Sequence, residues 1–187
     1  KETVDALMGQ SPDAGLLTRI RRAAAREPEV RGIHGIVAHD YGRMKVITLH
    51  IEVDAGLSAL ACHDLTERVE DAVTEETGCK AVVHSDPVDR SHPDYERVER
   101  ELFDWIQDSA PAMADAHDLR LYGEAPELHM ESDLVVQCDV PVHRFDEQLD
   151  SAAGELFDRM PDVQTLDLGI EHEVAGDPEY RRRFERP

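Results

Sequence analysis

The order in which its apolar periodicities change constrains this chain more than any single residue does. Apolar side chains first recur at helical spacing (Leu16, Leu17, Ile20, Ala24), then alternate along two short runs, Gly32 to His39 and Met44 to Val53. Helical spacing returns at Leu65, Val69, Ala72 and Val73, and a third strand-like run, Cys79 to Ser85, closes the pattern. The punctuation agrees with this order. Ser11-Pro12-Asp13 supplies a capping hydroxyl, a first-turn proline and a carboxylate suited to a helix start, and Pro28 forbids continuation. Asp40-Tyr41-Gly42-Arg43 is a hairpin turn, Ser58 can cap the second helix, and Gly78 ends it. An α-β-β-α-β order in about 75 residues predicts an α+β domain, with helices on one face of an antiparallel sheet.

The pattern then recurs, so the chain is expected to be a tandem duplication with its boundary near Val88 to Ser91. His92-Pro93-Asp94 parallels Ser11-Pro12-Asp13, and Val98, Leu102, Trp105 and Ile106 form a new helical stripe. Ala116 to Leu121 parallels the first strand and Leu134 to Val140 the second. Phe145 to Phe157 supplies the next helix, and Val163 to Val174 the last strand. His34 and His117 differ by 83 positions whereas Val53 and Val140 differ by 87, which places a four-residue insertion in the second hairpin loop. The resulting expectation is a linker at 1–10, a first unit at 11–89, a degenerate second unit at 92–175, and a polar, solvated tail at 176–187.

Charge removes several function classes. With 41 acidic against 20 basic residues and a formal net charge of −21, the surface repels nucleic acid and anionic lipid and concentrates cations. Cys62, Cys79 and Cys138 include no C-x-x-C pair, so neither a disulfide framework nor a zinc knuckle is indicated, and a reducing cytosol is the expected setting. A nucleophile elbow, a phosphate-cradling glycine loop and an H-E-x-x-H helix are all lacking, so a metal-dependent hydrolase ranks last and the chain is expected not to be an enzyme.

Histidine placement points toward metal. On the second strand His50 alternates with Ile47, Leu49, Ile51 and Val53, and so faces away from the helices. His34, His84 and Asp86 can share that helix-free face with it, one strand supplying both His84 and Asp86 because residues i and i+2 point the same way. Imidazoles with one carboxylate suit Zn²⁺, and also Mn²⁺, Fe²⁺, Co²⁺ or Cd²⁺. A lone strand histidine is more often a hydrogen-bonded structural side chain, so the spacing alone leaves both readings open. The same face is expected to carry Ile36, Val46 and Val82, an apolar set that needs a cover. His63 points outward from its helix.

The run from Ser11 to Asp89, with Glu27-Pro28-Glu29-Val30-Arg31-Gly32-Ile33-His34, Thr48-Leu49-His50-Ile51-Glu52-Val53, Cys62-His63-Asp64 and Val83-His84-Ser85-Asp86-Pro87, resembles the cytoplasmic C-terminal domain of cation diffusion facilitator transporters. The resemblance implies a ferredoxin-like, metallochaperone-like fold and a homodimer that binds divalent metal near its interface. It also implies an upstream transmembrane domain of the same chain, which exports divalent cations by exchange with protons. Metal ligands then fall on His34, His50, His84 and Asp86, with His63 reaching a metal across the interface. The opening at Lys1, with no methionine, is read as the start of a fragment.

In the second unit His117 matches His34. Gln137, Asp150, Glu171 and Glu173 are expected to stand for His50, His63, His84 and Asp86, an oxygen-rich set suited to a hard cation or to none. His129, His143 and His172 are weaker candidates still. The function expected from the sequence is a regulatory, metal-sensing and dimerising region of a zinc-type efflux transporter at the cytoplasmic face of the cell membrane, with no nucleic-acid partner. The alternative is a free-standing cytosolic metallochaperone or small-ligand sensor of the same fold. Neutral imidazoles are the metal-binding form, so affinity is expected to fall below about pH 6.5.

Overall fold

The structure, a computed structural model, describes residues 12–110, 113–136, 146–172 and 180–186. Two compact units divide the chain, the first ending at Val88 and the second beginning at Asp89.

In the first unit α1 (Ala14–Ala24), β1 (Gly32–Asp40), β2 (Lys45–Asp54), α2 (Ala59–Thr77) and β3 (Lys80–Val88) follow the expected order. Helix α1 is capped by Asp13, whose carboxylate accepts from the backbone N–H groups of Gly15 and Leu16. Ser58 caps α2 through Ala61 N–H, and Gly78 ends it at φ +74°, a left-handed conformation that costs glycine little. Ile47, Leu49, Ile51 and Val53 on β2 pack against Ile20, Ala23 and Ala24 of α1 and Leu65, Val69 and Val73 of α2. Cys62 and Cys79 sit partly buried at the edge of this core. Both helices therefore cover one face of the sheet, leaving the other to His50 and its neighbours.

The sheet is mixed rather than antiparallel throughout. β1 and β2 form the expected antiparallel hairpin, but β3 runs parallel to β2. A helix that crosses over the sheet returns the chain to the end from which the preceding strand started, so the two strands it joins run the same way. A second departure lies at Gly35, in the left-handed region at φ +56°. There two residues of β1 oppose one of β2, between the register pairs His34 with His50 and Val37 with Thr48. This bulge inverts the alternation: Ile36, expected beside His34, turns into the helix-side core, and Val37 takes the helix-free face. Val82 is exposed on that face.

The second unit repeats the plan with α3 (Tyr95–Ser109), β4 (Met113–Tyr122), β5 (Leu128–Val136), α4 (Asp146–Arg159) and β6 (Val163–His172), and adds β7 (Tyr180–Glu185). Its sheet order is β4-β5-β6-β7, with β6 parallel to β5 and the other two pairs antiparallel. The bulge recurs one residue after His117, at Asp118 (φ +53°), between the pairs His117 with Asp133 and Arg120 with Glu131. Register therefore corrects the expected alignment of the repeats. His34 to His117 and His50 to Asp133 share the offset of 83 (117 − 34 and 133 − 50), so the second hairpin carries no insertion. The second strand of this unit is Leu128–Val136, earlier than the expected Leu134 to Val140, whose last four residues lie outside the described ones. The expected polar tail supplies β7 instead. Arg186 donates to the carbonyls of Phe157 in the last turn of α4, of Met160 just beyond it and of Val163 at the start of β6, tying the end of the chain to the α4–β6 connection.

Candidate metal centre

Strand pairing aligns the three strand histidines. His34 is the register partner of His50, and His50 of His84, so one row across β1, β2 and β3 carries an imidazole at every position. Asp86, two residues beyond His84, lies on the same face one step along β3. The Asp86 Oδ2 atom is 3.0 Å from His50 Nδ1 and 3.3 Å from His34 Nε2, while Oδ1 is 2.9 Å from His84 Nδ1. His84 Nδ1 and His50 Nδ1 are 3.4 Å apart.

His34 and Asp86 are each 7% exposed, whereas the His84 side chain is 67% exposed, so the cluster has a buried floor and an open rim. Burial alone pushes the Asp86 carboxyl up. Hydrogen bonds and charge from His34 and His50 outweigh that effect and hold it well below the usual carboxylate range. A carboxylate kept ionised between imidazole nitrogens is prepared for a cation.

The donor set fits a divalent ion. One ligand atom each from His34, His50 and Asp86 lie within 4.8 Å of one another. Ligands at about 2.0–2.1 Å from a tetrahedral zinc are about 3.3–3.4 Å apart, close to the 3.0 and 3.3 Å separations of this triad. His84, at the rim, can supply a further nitrogen. Sequence reasoning passed over Glu52, a buried carboxylate on the same face and the register partner of Asp86. Its period-two spacing from His50 was the available signal.

His63 stands apart. Its side chain is 65% exposed on α2, 3.6 Å from Glu67, on the helix side of the sheet. The fold of this chain does not bring it to the other four.

The second unit departs further than its sequence alignment implies. His117 is buried and matches His34, but the positions across the row are Asp133 and Gly169, in place of the expected Gln137 and Glu171. Glu171 falls two residues beyond Gly169, where the first unit has Asp86; its side chain, like that of His172, lies outside the described residues. Gln137, His143 and Glu173 lie outside them altogether. Asp150 is an exposed residue of α4 paired with Arg182 at 2.8 Å, and His129 packs its ring against Tyr122.

Comparison with known proteins now bears on the first unit. The family described as "Cation efflux protein, cytoplasmic domain" matches residues 12–88, which run from just before α1 to the end of β3. Residues 12–88 belong to that family. The resemblance read from the sequence therefore holds, and it ends where the first compact unit ends. Two curated relatives are similar: an uncharacterised transporter of Methanocaldococcus jannaschii, 33% identical over 87 residues, and the cation-efflux pump FieF of Shewanella oneidensis, 29% identical over 90 residues. Each alignment takes in 46% of this chain but only 31% and 29% of the relatives, so the chain spans about a third of their length. A solved structure titled as the metal-bound C-terminal domain of the CzcD transporter from Thermotoga maritima is 21% identical, covering 42% of this chain and 93% of that one at a TM-score of 0.39. Among the described residues, no helix of the cation efflux domain or of the second unit is long and apolar enough to cross a membrane.

Proposed function

We propose that this chain is the metal-sensing, dimerising regulatory region of a divalent cation efflux transporter, acting at the cytoplasmic face of the membrane that holds its transmembrane partner domain. The convergence of His34, His50 and Asp86 on one point of the helix-free face carries the reading. Those three residues would hold the ion, with His84 closing the rim. Zinc is the favoured cation because two imidazoles and a carboxylate are borderline ligands, and Mn²⁺, Fe²⁺, Co²⁺ and Cd²⁺ fit the same set.

A divalent ion held there would supply positive charge between His34, His50 and Asp86 of three strands, and His63 of a second copy would extend that tie to two chains. Asp86 already holds His50 Nδ1 and His34 Nε2 within 3.0 and 3.3 Å of one carboxylate oxygen, so a divalent ion would replace the proton shared there with little rearrangement of the side chains. Binding that favours the dimer is the physical form a sensor signal takes, since a ligand shifts an equilibrium only by its difference in affinity for the two states. The second unit, lacking imidazoles at two of the three row positions, is a structural companion rather than a second sensor.

Calorimetric titration of the metal-free chain with Zn²⁺ tests the proposal, with sedimentation measured before and after loading. Saturable heat and a shift toward dimer are expected. Absence of heat, or heat unchanged in the double variant His50→Ala with His84→Ala, overturns the metal assignment.

A further inference from the structure

The row that carries three imidazoles in the first unit has a counterpart in the second that reads His117, Asp133, Gly169, Arg181, the last supplied by the added strand β7. The Arg181 guanidinium crosses over Gly169 to pair with Asp133, a carboxylate 4% exposed. It also lies 2.9 Å from Glu131 and 3.8 Å from Asp167. Within their own sheet these carboxylates take the positions that correspond to the histidine cluster in the first sheet, one register step or none from Asp133, the equivalent of His50. Gly169 is part of the arrangement. A Cβ there would overlap the Asp133 carboxylate and approach the Arg181 guanidinium to 3.2 Å, so the side chain that the first unit spends on His84 has been given up to let the arginine through.

We infer that Arg181 is a tethered cation: it takes in the second unit the place that a metal ion takes in the first, fixing that sheet without metal and closing it to metal. The inference rests on the metal reading of the first unit for its comparison. The two can nevertheless be tested separately. A planar guanidinium satisfies two carboxylates at once and stays charged at every accessible pH, which a reversibly bound ion does not. The two units then divide the labour: one face waits for its cation and the other carries its own.

Trp105, the chain's one tryptophan, is buried in the second unit and bonded through Nε1 to Glu155, so its fluorescence reports unfolding of that unit. The test uses the full chain with His34→Ala and His50→Ala, so that the outcome is independent of whether the first site binds metal. Urea unfolding is followed through Trp105 in chelator, in Zn²⁺ and in Mn²⁺, with Arg181 intact, with Arg181→Lys and with Arg181→Ala. With Arg181 intact the midpoint is expected to be the same in all three solutions, and Arg181→Lys, which keeps the charge but not the planar fork, to fall part of the way toward Arg181→Ala while staying insensitive to metal. Arg181→Ala is expected to lower the midpoint by about 0.5–1.5 M in chelator. Mn²⁺, an oxygen-seeking ion, is expected to recover part of that loss from the vacated carboxylates. Gly169→Ala, which disturbs the same pair from the other side, is expected to lower the midpoint as well. A midpoint that rises with metal while Arg181 is intact overturns the inference. So does an unchanged midpoint for Arg181→Ala, or a loss that no divalent ion recovers.

Discussion

Replacing Asp86 with asparagine separates a prepared metal site from an ordinary polar cluster. The substitution keeps size and shape but removes the charge that three imidazole nitrogens approach at 2.9, 3.0 and 3.3 Å. Hydrogen bonds to a charged group contribute about 1.5–3 kcal/mol each, and an asparagine oxygen still accepts one of them. In chelator near pH 6 the variant is therefore expected to lose about 2–4 kcal/mol of stability, the upper range applying where the imidazoles carry protons.

The sign of the pH dependence follows from the direction of the shift. The folded-state carboxyl is held below its unfolded value of about 3.9, so its contribution is complete above that pH and is lost as pH falls toward the folded value. Each pH unit below about 3.9 should remove up to about 1.4 kcal/mol of the difference between parent and variant. Urea unfolding at pH 6, 4 and 3, followed by far-ultraviolet circular dichroism, measures that difference, the step from pH 4 to pH 3 reporting the carboxyl itself and the step from pH 6 to pH 4 the imidazoles that pair with it. Zinc adds a second arm: loss of the anionic ligand should weaken binding more than the 10–100-fold typical of losing an outer-shell partner, and so remove most of the metal-induced rise in melting temperature. A difference that does not shrink between pH 4 and pH 3, or an unchanged zinc affinity, would refute the reasoning.

Further expectations follow from neighbouring features. His63→Ala should leave zinc affinity of the isolated protomer within about twofold while weakening metal-driven dimerisation, as read by titration at low and high protein concentration; equal losses at both would place His63 in the intrachain site instead. Leu65→Ala, at a fully packed position between α2 and β2, should cost about 2–5 kcal/mol in chelator, measured by urea unfolding. Gly35→Val should disrupt the bulge that holds His34 opposite His50, lowering zinc affinity at least tenfold in a titration; Gly35→Asn, which tolerates the left-handed backbone as Asp118 does, should retain most of it. Acidifying the loaded chain from pH 7.5 to 5.5 should release zinc to a colorimetric chelator, because protons and metal compete for the same imidazole lone pairs.

Much of the first unit was legible in sequence because its signals are local. Helical spacing of Leu65, Val69 and Val73, alternation around His50, and the caps Ser58 and Gly78 each depend on a few adjacent residues, and each element formed as read. The same alternation put His50, His84 and Asp86 on one face. The second unit was harder to align, because Leu134-Val135-Val136 is apolar at consecutive positions and carries no phase; its strand was placed four residues late, and the supposed loop insertion followed from that slip.

By itself, then, the sequence determined the order of elements in the first unit, the recurrence of that order in the second, the family of residues 12–88 and the ligand types available on the helix-free face. Only the tertiary structure decided what those ligands meet. Cross-strand register is a property of two distant segments, so nothing local announced that His34, His50 and His84 stand in one row, or that a bulge at Gly35 would turn Ile36 inward. Strand direction was likewise decided by the crossover of α2, which made β3 parallel to β2. The arginines near the end of the chain looked like a solvated patch until β7 laid Arg181 beside Gly169, within reach of a buried carboxylate. Charge in a sequence is a count, and what it does depends on which opposite charge the fold places within a few ångströms.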